Sequence, residues 1–563
     1  MVSKAVSTSR QGLTPGDEMN TSNIDISENR SFLVSLLCGL YALFMIVSGF
    51  VICSNSSITR SNPNSHYYVD MFFIYMFSMA IVVMTLLFVI ILPKRKQSNA
   101  NRRSNDIALQ NGSGPHEWEL EGYPDVAHAA EGANFYMRIG FTGFSVGTML
   151  YGCFKISEAF KDGRSSSIDC KGVTFLICSF LQIVFTFMQT MFIFKNHTIV
   201  VNVHKSFVKW CMWHLIATNL CVWLWYEITE IENDIREDKD EPLLITIIRN
   251  ASVGSSGGQN DEPLENNETM ASEGNVEPIV CYDYESIAER SSEYLFPCVI
   301  EYSLLGATLV YIVLCSIGTP LELPSSKNDK PEPEVNRDCH KANSGLFGGI
   351  LIFMVTIVAV AVFFVLVDNL TMPVEAMTVF YITEIVLLSA TFAGCLISIL
   401  KLKYLRFSPG EGGIDSVLLM VSLGAVFMFH LFMIISSAEQ THVFGFIGVL
   451  SIIVSVFAII QAALQVVMIV DGMLRSSVHD THLQSKPGRS LVTFVIIANL
   501  ALWAINTFEA KKAGHSGIHA QYYGRVVWSI IQHVSIPLVI FYRFHSTICL
   551  SDIWINAYTR KED

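Results

Sequence analysis

Long apolar runs dominate the chain and set its architecture. They fall at about residues 32–52, 69–92, 134–158, 172–194, 207–230 and 296–317, then at 345–367, 374–400, 415–436, 444–470, 490–508 and 523–542. Each can cross ~30 Å of hydrocarbon as a helix rising about 1.5 Å per residue. Lipid offers no hydrogen-bond partner to an open backbone, so helices are the structure that such runs adopt. The pattern predicts an all-α polytopic membrane protein with 12 transmembrane helices. Pro297 opens the sixth run, and His533 and Pro537 interrupt the twelfth.

The two sets of six runs echo each other. The fifth contains His214-Leu-Ile-Ala-Thr-Asn219-Leu220-Cys-Val-Trp223, and the eleventh contains Val495-Ile-Ile-Ala-Asn499-Leu500-Ala-Leu-Trp503. Met188-Gln189 in the fourth run resembles Leu464-Gln465 in the tenth, with Gln461 a rival match. Ile300-Glu301-Tyr302-Ser303-Leu304 in the sixth lines up with Gln532-His533-Val534-Ser535-Ile536 in the twelfth. Repeats of six spans insert in the same sense, which places a pseudo-two-fold axis along the membrane normal. The expected organisation is a tail (1–31), a six-helix half (32–317), a linker (318–344), a second six-helix half (345–557) and a tail (558–563).

Basic residues orient these spans. Lys94, Arg95, Lys96, Arg102 and Arg103 follow the second run, Lys401, Lys403 and Arg406 the eighth, and Arg475, Lys486 and Arg489 the tenth. The positive-inside rule puts those connections and both termini in the cytoplasm, against the contrary signal of Lys511 and Lys512. Residues 94–132 and 320–343 read as poorly ordered cytoplasmic linkers. Residues 231–293, with 16 acidic and 4 basic side chains, form an acidic extracellular loop. Asn55, Asn250, Asn267 and Asn369 open sequons in exterior loops and are the expected glycosylation sites, whereas those at Asn20, Asn29, Asn111 and Asn196 fall inside.

Composition narrows the function. The chain of 563 residues is 51% hydrophobic and 15% charged, far below the roughly 25% charge of a soluble domain. A net charge of −13 argues against nucleic acid as a partner. Most of the 13 cysteines, Cys38, Cys211, Cys221 and Cys395 among them, sit inside apolar runs. Cys170, Cys281 and Cys298 lie in or beside exterior loops, where a bridge is open and its pairing unassigned. Phosphate-binding, dinucleotide and nucleophile-elbow motifs are absent, as are closed metal-site spacings, so neither an enzyme nor a cofactor is expected. The potassium-filter pentapeptide and a voltage sensor's Arg periodicity are also missing.

What remains is a set of isolated polar groups in the spans: Gln189, His214, Asn219, Glu227, Glu301, Glu384, His430, Gln465, Asn499, His533 and His545. A central charge costs roughly 2.5–3.5 kcal/mol on insertion scales, so these groups face the interior or a hydrated cavity. Gln189, Asn219, Gln465 and Asn499 suit interhelical hydrogen bonding. Asn219, Trp223, Glu227 and Glu230 share one helix face by spacing. Glu301 and His533, at matched repeat positions, are the proton-exchanging candidates, each serving a hydrated path through its own half. Packing is the competing reading for both. Isolated titratable groups suit proton movement better than the passage of hydrated metal ions.

Three ordered segments carry a resemblance: His214 to Trp223, Phe296-Pro-Cys-Val-Ile-Glu-Tyr-Ser-Leu304, and Phe541-Tyr-Arg-Phe-His-Ser546 followed by Asp552-Ile-Trp554. They resemble the otopetrin proton channels over about residues 32–557. The resemblance implies two six-helix barrel-like halves, a homodimer in the plasma membrane with sterol-like lipid at its centre, and passive proton conduction activated by extracellular acid. It puts the family's polar cluster between the halves on Gln189, Asn219 and Tyr302, with Asn where other members carry an ionisable group. It puts the acid-responsive Glu and His of the fifth and twelfth spans on Glu227, or Glu230 one turn on, and His545. The acidic 231–293 loop has no family counterpart. A proton-coupled 6+6 secondary transporter is the alternative, although no paired helix breaks mark a midplane substrate site. A non-conducting scaffold that binds a partner through the acidic loop is a third reading.

Overall fold

The computed structural model describes residues 15–58, 65–110, 126–128, 135–158, 167–196, 199–201, 204–237, 287–318, 343–367, 373–407, 414–477, 480–508 and 518–558. In chain order its helices are α1 (Pro15–Ile58), α2 (Ser65–Gln110), α3 (Phe135–Glu158), α4 (Ser167–Asn196), α5 (Lys205–Glu237), α6 (Ile287–Ser316) and α7 (Asn343–Val367). They continue with α8 (Pro373–Leu402), α9 (Ile414–Phe444), α10 (Phe446–Met473), the short α11 (Asp480–Ser485), α12 (Arg489–Phe508), the short α13 (Ile518–Tyr523) and α14 (Arg525–Asn556). Among the described residues, 11 helices are long and apolar enough to cross a membrane. The protein is an all-α polytopic membrane protein. Its outer surface is apolar, with Phe44, Leu351 and Val365 exposed, the inverse of a soluble fold.

Helix α3 falls short of that apolarity for a structural reason. It carries Arg138, Lys155 and Glu158 together with Gly140, Gly143, Gly147 and Gly152. At three of these glycines a Cβ would collide with a neighbour: with the Phe544 ring at Gly140, 2.6 Å from Cys298 at Gly147 and 2.7 Å from Ile183 at Gly152. Small residues here allow close helix approach, which lipid-embedded proteins use in place of a hydrophobic driving force. The low hydropathy of α3 follows from its central packing position.

Packing closes the long helices into two rings. Going round the first, α1 packs on α5, α5 on α6, α6 on α3, α3 on α4, α4 on α2 and α2 on α1. Round the second, α7 packs on α12, α12 on α14, α14 on α9, α9 on α10, α10 on α8 and α8 on α7. The rings meet where α14 packs on α5, α3 and α6. Two small strand pairs tie connections together. Strand β1 (Val126–His128) runs antiparallel to β2 (Ile199–Val201), with Val126 opposite Val201, and β3 (Arg406–Phe407) pairs with β4 (Arg475–Ser476).

Several boundaries differ from the sequence expectation. The 94–132 segment is not a featureless linker, because α2 continues to Gln110 and β1 lies within it. Helix α5 extends to Glu237 and so takes the first residues of the acidic loop into regular structure. Helix α14 is continuous through His533 and Pro537 to Asn556. Cys298 belongs to α6, where it is a free thiol packed against Gly147, and not to a loop. Asn55 is exposed near the end of α1, while Asn250, Asn267, Asn369, Cys281, Lys511 and Lys512 lie outside the described residues.

The glycines of α3 separate packing from helix propensity. Gly147→Ala should cost about 1–3 kcal/mol through overpacking against Cys298. Gly143→Ala, where a new Cβ meets nothing within 4 Å, should be neutral or stabilising. Thermal melting of the detergent-solubilised protein measures both, and equal effects would contradict the packing account.

Candidate functional site

Helix periodicity brings Glu227, Glu230 and Asp234 of α5 to one face, at i, i+3 and i+7. Helix α14 presents His533 to that face. Its Nδ1 lies 3.3 Å from Glu230 Oε2 and 4.0 Å from Glu227 Oε2, and its Nε2 hydrogen-bonds Asp234 Oδ2. Glu227, Glu230 and His533 are all buried, at 5%, 4% and 5% exposure. An imidazole with carboxylates beside both nitrogens can hold one proton or two, and every exchange has an acceptor within reach.

Next to this cluster lies a cavity of about 30 Å³, lined by Glu230, Asp234, Glu301, Thr507 and His533 among others. Glu301 of α6 is 1% exposed, and neither carboxylate oxygen has a hydrogen-bond partner among the described residues. A carboxyl buried without a partner is costly, and a cavity of this size beside several carboxyls and an imidazole has room for the water that can supply one. Pro297 and Pro537 also line it, from inside α6 and α14. A proline inside a helix leaves the carbonyl four residues earlier without its donor, and for Pro537 that carbonyl belongs to His533. The cavity is therefore built from carboxyls, an imidazole and loosened backbone, where the two rings meet. Glu301 and His533, expected in separate halves, both line this one cavity.

The repeat register of these two residues is also corrected. Tyr302 donates to the Thr186 carbonyl (3.2 Å), three residues before Gln189, and Tyr542 donates to the Ala462 carbonyl (2.9 Å), three residues before Gln465. By this geometry Tyr302 and Tyr542 hold like places, each after a proline inside its helix (Pro297 and Pro537), and the residue that then falls opposite Glu301 is Phe541, not His533. His533 stands eight residues earlier, just over two helical turns. The polar pentads matched in type but not in place.

Two amide pairs have the same geometry. Gln189 and Asn219 exchange hydrogen bonds of 3.1 and 3.2 Å, and Asn219 also donates to the Leu215 carbonyl at 2.8 Å. Gln465 and Asn499 exchange bonds of 2.9 and 3.0 Å, with Asn499 donating to Val495 at 3.0 Å. Gln461, the rival match, instead donates to Gln465 at 2.8 Å and accepts from Arg543 at 2.7 Å. Gln189, Asn219 and Tyr302 come from α4, α5 and α6, all in the first ring, so this cluster is internal to a ring and not between the two halves. Being neutral and reciprocally satisfied, the pairs act as interhelical glue.

Other candidates lie apart from the cavity. His545 stands twelve residues beyond His533, about 18 Å along the helix. It contacts the Asp415 carbonyl at 3.1 Å and stacks on Phe541. The histidine that lies beside Glu227 is His533, and His545 is apart from both. His214 hydrogen-bonds Tyr41 (2.9 Å), and His519 meets Ser436 (2.6 Å). Glu384 and His430 are buried in the second ring. Asp234 was missed because it was counted into the acidic loop, and the continuing i+3, i+4 spacing from Glu227 was the available signal. Glu227, Glu230 and His533 also offer ligand atoms within 4.8 Å of one another, a set invisible to spacing because it spans two distant segments.

A buried titratable cluster where polytopic helices meet defines a membrane protein with a polar route into its interior, a class that holds channels and coupled transporters alike. The otopetrin family model matches residues 136–544, and the chain belongs to the otopetrin family. It is 31% identical over 444 residues to the Proton channel OtopLc of Drosophila melanogaster, covering 76% of this chain but only 28% of that relative's length. It is 22% identical over 475 residues to the Proton channel OTOP2 of Homo sapiens (73% of this chain, 81% of the relative). With the Proton channel OTOP3 of Homo sapiens it shares 21% identity over 441 residues (70% and 69%).

The amide pairs yield a stability prediction. Asn499→Ala leaves Gln465 short of a partner and should cost about 1–3 kcal/mol, lowering surface abundance or detergent melting temperature. A mutant of normal abundance with altered ion selectivity would reverse the assignment of glue and path.

Proposed function

We propose that this chain is a proton channel of the plasma membrane, which extracellular acid activates to pass H+ down its gradient, and that it is not an enzyme. The observation that carries this reading is the cavity between the rings, where Glu301, Glu230, Asp234 and His533 converge. Protons hop between titratable groups and single waters. A hydrated metal ion needs more room than a single water, so titratable groups around a small cavity suit H+ better than alkali cations. The names of the relatives point the same way.

The reading includes 12 spans in two six-helix repeats, halves 32–317 and 345–557, with α3 as the twelfth span. Three features support it: both rings have the same order of neighbours, both hold a Gln–Asn pair below a tyrosine, and both tie equivalent connections with a strand pair. In it the termini are cytoplasmic, the Glu227 end of α5 faces outside, and Asn55, Asn250, Asn267 and Asn369 are glycosylated. The chain assembles as a homodimer among membrane lipid, sterol included. Helix α7 leaves most of its apolar surface exposed for such contacts. A coupled transporter, the second reading, would use similar carboxyls.

Whole-cell recording tests the function. The reversal potential of the acid-evoked current should follow the proton equilibrium potential as bath pH changes, and replacing sodium by a large organic cation should leave it unmoved. A reversal potential that follows another ion would contradict the reading, as would no current from protein verified at the surface.

A further inference from the structure

The junction of α5 and α14 gathers electron-pair donors rather than matched hydrogen-bonding groups. Glu227, Glu230 and His533 each bring one ligand atom to it, and the three atoms lie within 4.8 Å of one another. Two come from one face of α5 at i and i+3, and the third crosses from α14. The buried basic side chains have partners outside this set. Lys155 is engaged by Tyr226 and the Asp70 carboxylate, Arg489 by the Trp554 ring and Arg543 by Gln461.

Asp234 decides which imidazole nitrogen joins the set. An ionised carboxylate can only accept, so His533 Nε2 donates to Asp234 Oδ2. In the neutral ring that leaves a lone pair on Nδ1, which faces Glu230 Oε2 at 3.3 Å and Glu227 Oε2 at 4.0 Å. A carboxylate behind the second nitrogen is how ligating histidines are oriented and made more basic.

The spacing fits a small cation. Zinc bonds to nitrogen and oxygen of about 2.0–2.2 Å, at tetrahedral angles, set neighbouring ligand atoms about 3.3–3.6 Å apart. Nδ1 and Glu230 already stand at that separation, and Glu227 joins them by a carboxylate movement of about 1 Å. One imidazole with two carboxylates suits a borderline ion such as Zn2+ or Co2+, whereas Ca2+ takes a larger shell of oxygens. The cavity beside Glu230 and His533 has room for a water at the remaining position. Glu301 lines that cavity, and neither of its buried oxygens has a hydrogen-bond partner among the described residues, so it is placed to accept from such a water. The Asp234 side chain is partly exposed and offers the ion a way in.

We propose that Glu227, Glu230 and His533 form a site for one divalent transition-metal ion of the Zn2+ class, with Asp234 as a positioning residue, and that the bound ion ties the first ring to the second. The proposal stands apart from the channel reading, since it concerns binding alone.

The detergent-purified chain is titrated with Co2+, a spectroscopic substitute for Zn2+. One equivalent should bind with the visible absorption of low-coordinate cobalt, without a thiolate charge-transfer band, and Zn2+ should displace it. His533→Gln and Glu230→Gln should each weaken binding about 100-fold or more, and Asp234→Asn about 10–100-fold with the spectrum kept. His482→Gln, on the separate helix α11, should bind like wild type. Saturating Zn2+ should raise the melting temperature of the wild type but not of His533→Gln. Absence of stoichiometric cobalt, a thiolate band, or wild-type affinity in both ligand variants overturns the proposal. If His533→Gln does not fold, Glu230→Gln decides alone.

Discussion

Three carboxylates of one helix meet a single imidazole of another, and the meeting of the two rings depends on that contact. Glu227, Glu230 and Asp234 would each be expensive on an α5 facing lipid, as would His533 on α14. Where they meet, the imidazole hydrogen-bonds Asp234 and offers at most one positive charge to three carboxyls, so the contact offsets part of that cost, and removing His533 would leave it whole. The same contact ties architecture to titration. Any change in the protonation of this group acts directly on the surface that holds α5 against α14.

The two rings divide their polar groups accordingly. Inside each ring a neutral Gln–Asn pair exchanges hydrogen bonds and is backed by a tyrosine on a carbonyl one turn away, and the second ring also buries Glu384, His430 and Arg543. The amide pairs cement helices without taking up a proton. Between the rings the groups are titratable, and there the helices carry prolines and enclose a cavity. The carboxyl of Glu301 fits this division. Among the described residues no side chain meets its oxygens, and the adjoining cavity has room for the water that a proton-exchanging carboxyl needs.

Much of this architecture was legible in the residues because hydrocarbon enforces it: eleven helices announce themselves by apolar length, and Asn219 and Asn499 stand out where polarity is costly. The misreadings have physical causes. Glu301 and His533 were aligned by polarity within apolar sequence, where the Pro297–Pro537 and Tyr302–Tyr542 correspondences, set by backbone and hydroxyl geometry, give the true register. Asp234 read as solvated loop because helix α5 outlasts its apolar run. Tertiary convergence of distant elements leaves no mark in local pattern.

The central claim is that Glu301 and His533 act at one cavity between the rings and not in two independent routes. A double-mutant cycle on acid-evoked proton current at matched surface abundance tests it most directly. Glu301→Gln and His533→Gln preserve size and hydrogen bonding while removing the exchangeable proton, and each alone should reduce the current. If both serve one route, the double mutant loses little more than the stronger single mutant, a large coupling between residues on a shared cavity. Independent losses that multiply in the double mutant would contradict the account, and so would single mutants that conduct like wild type.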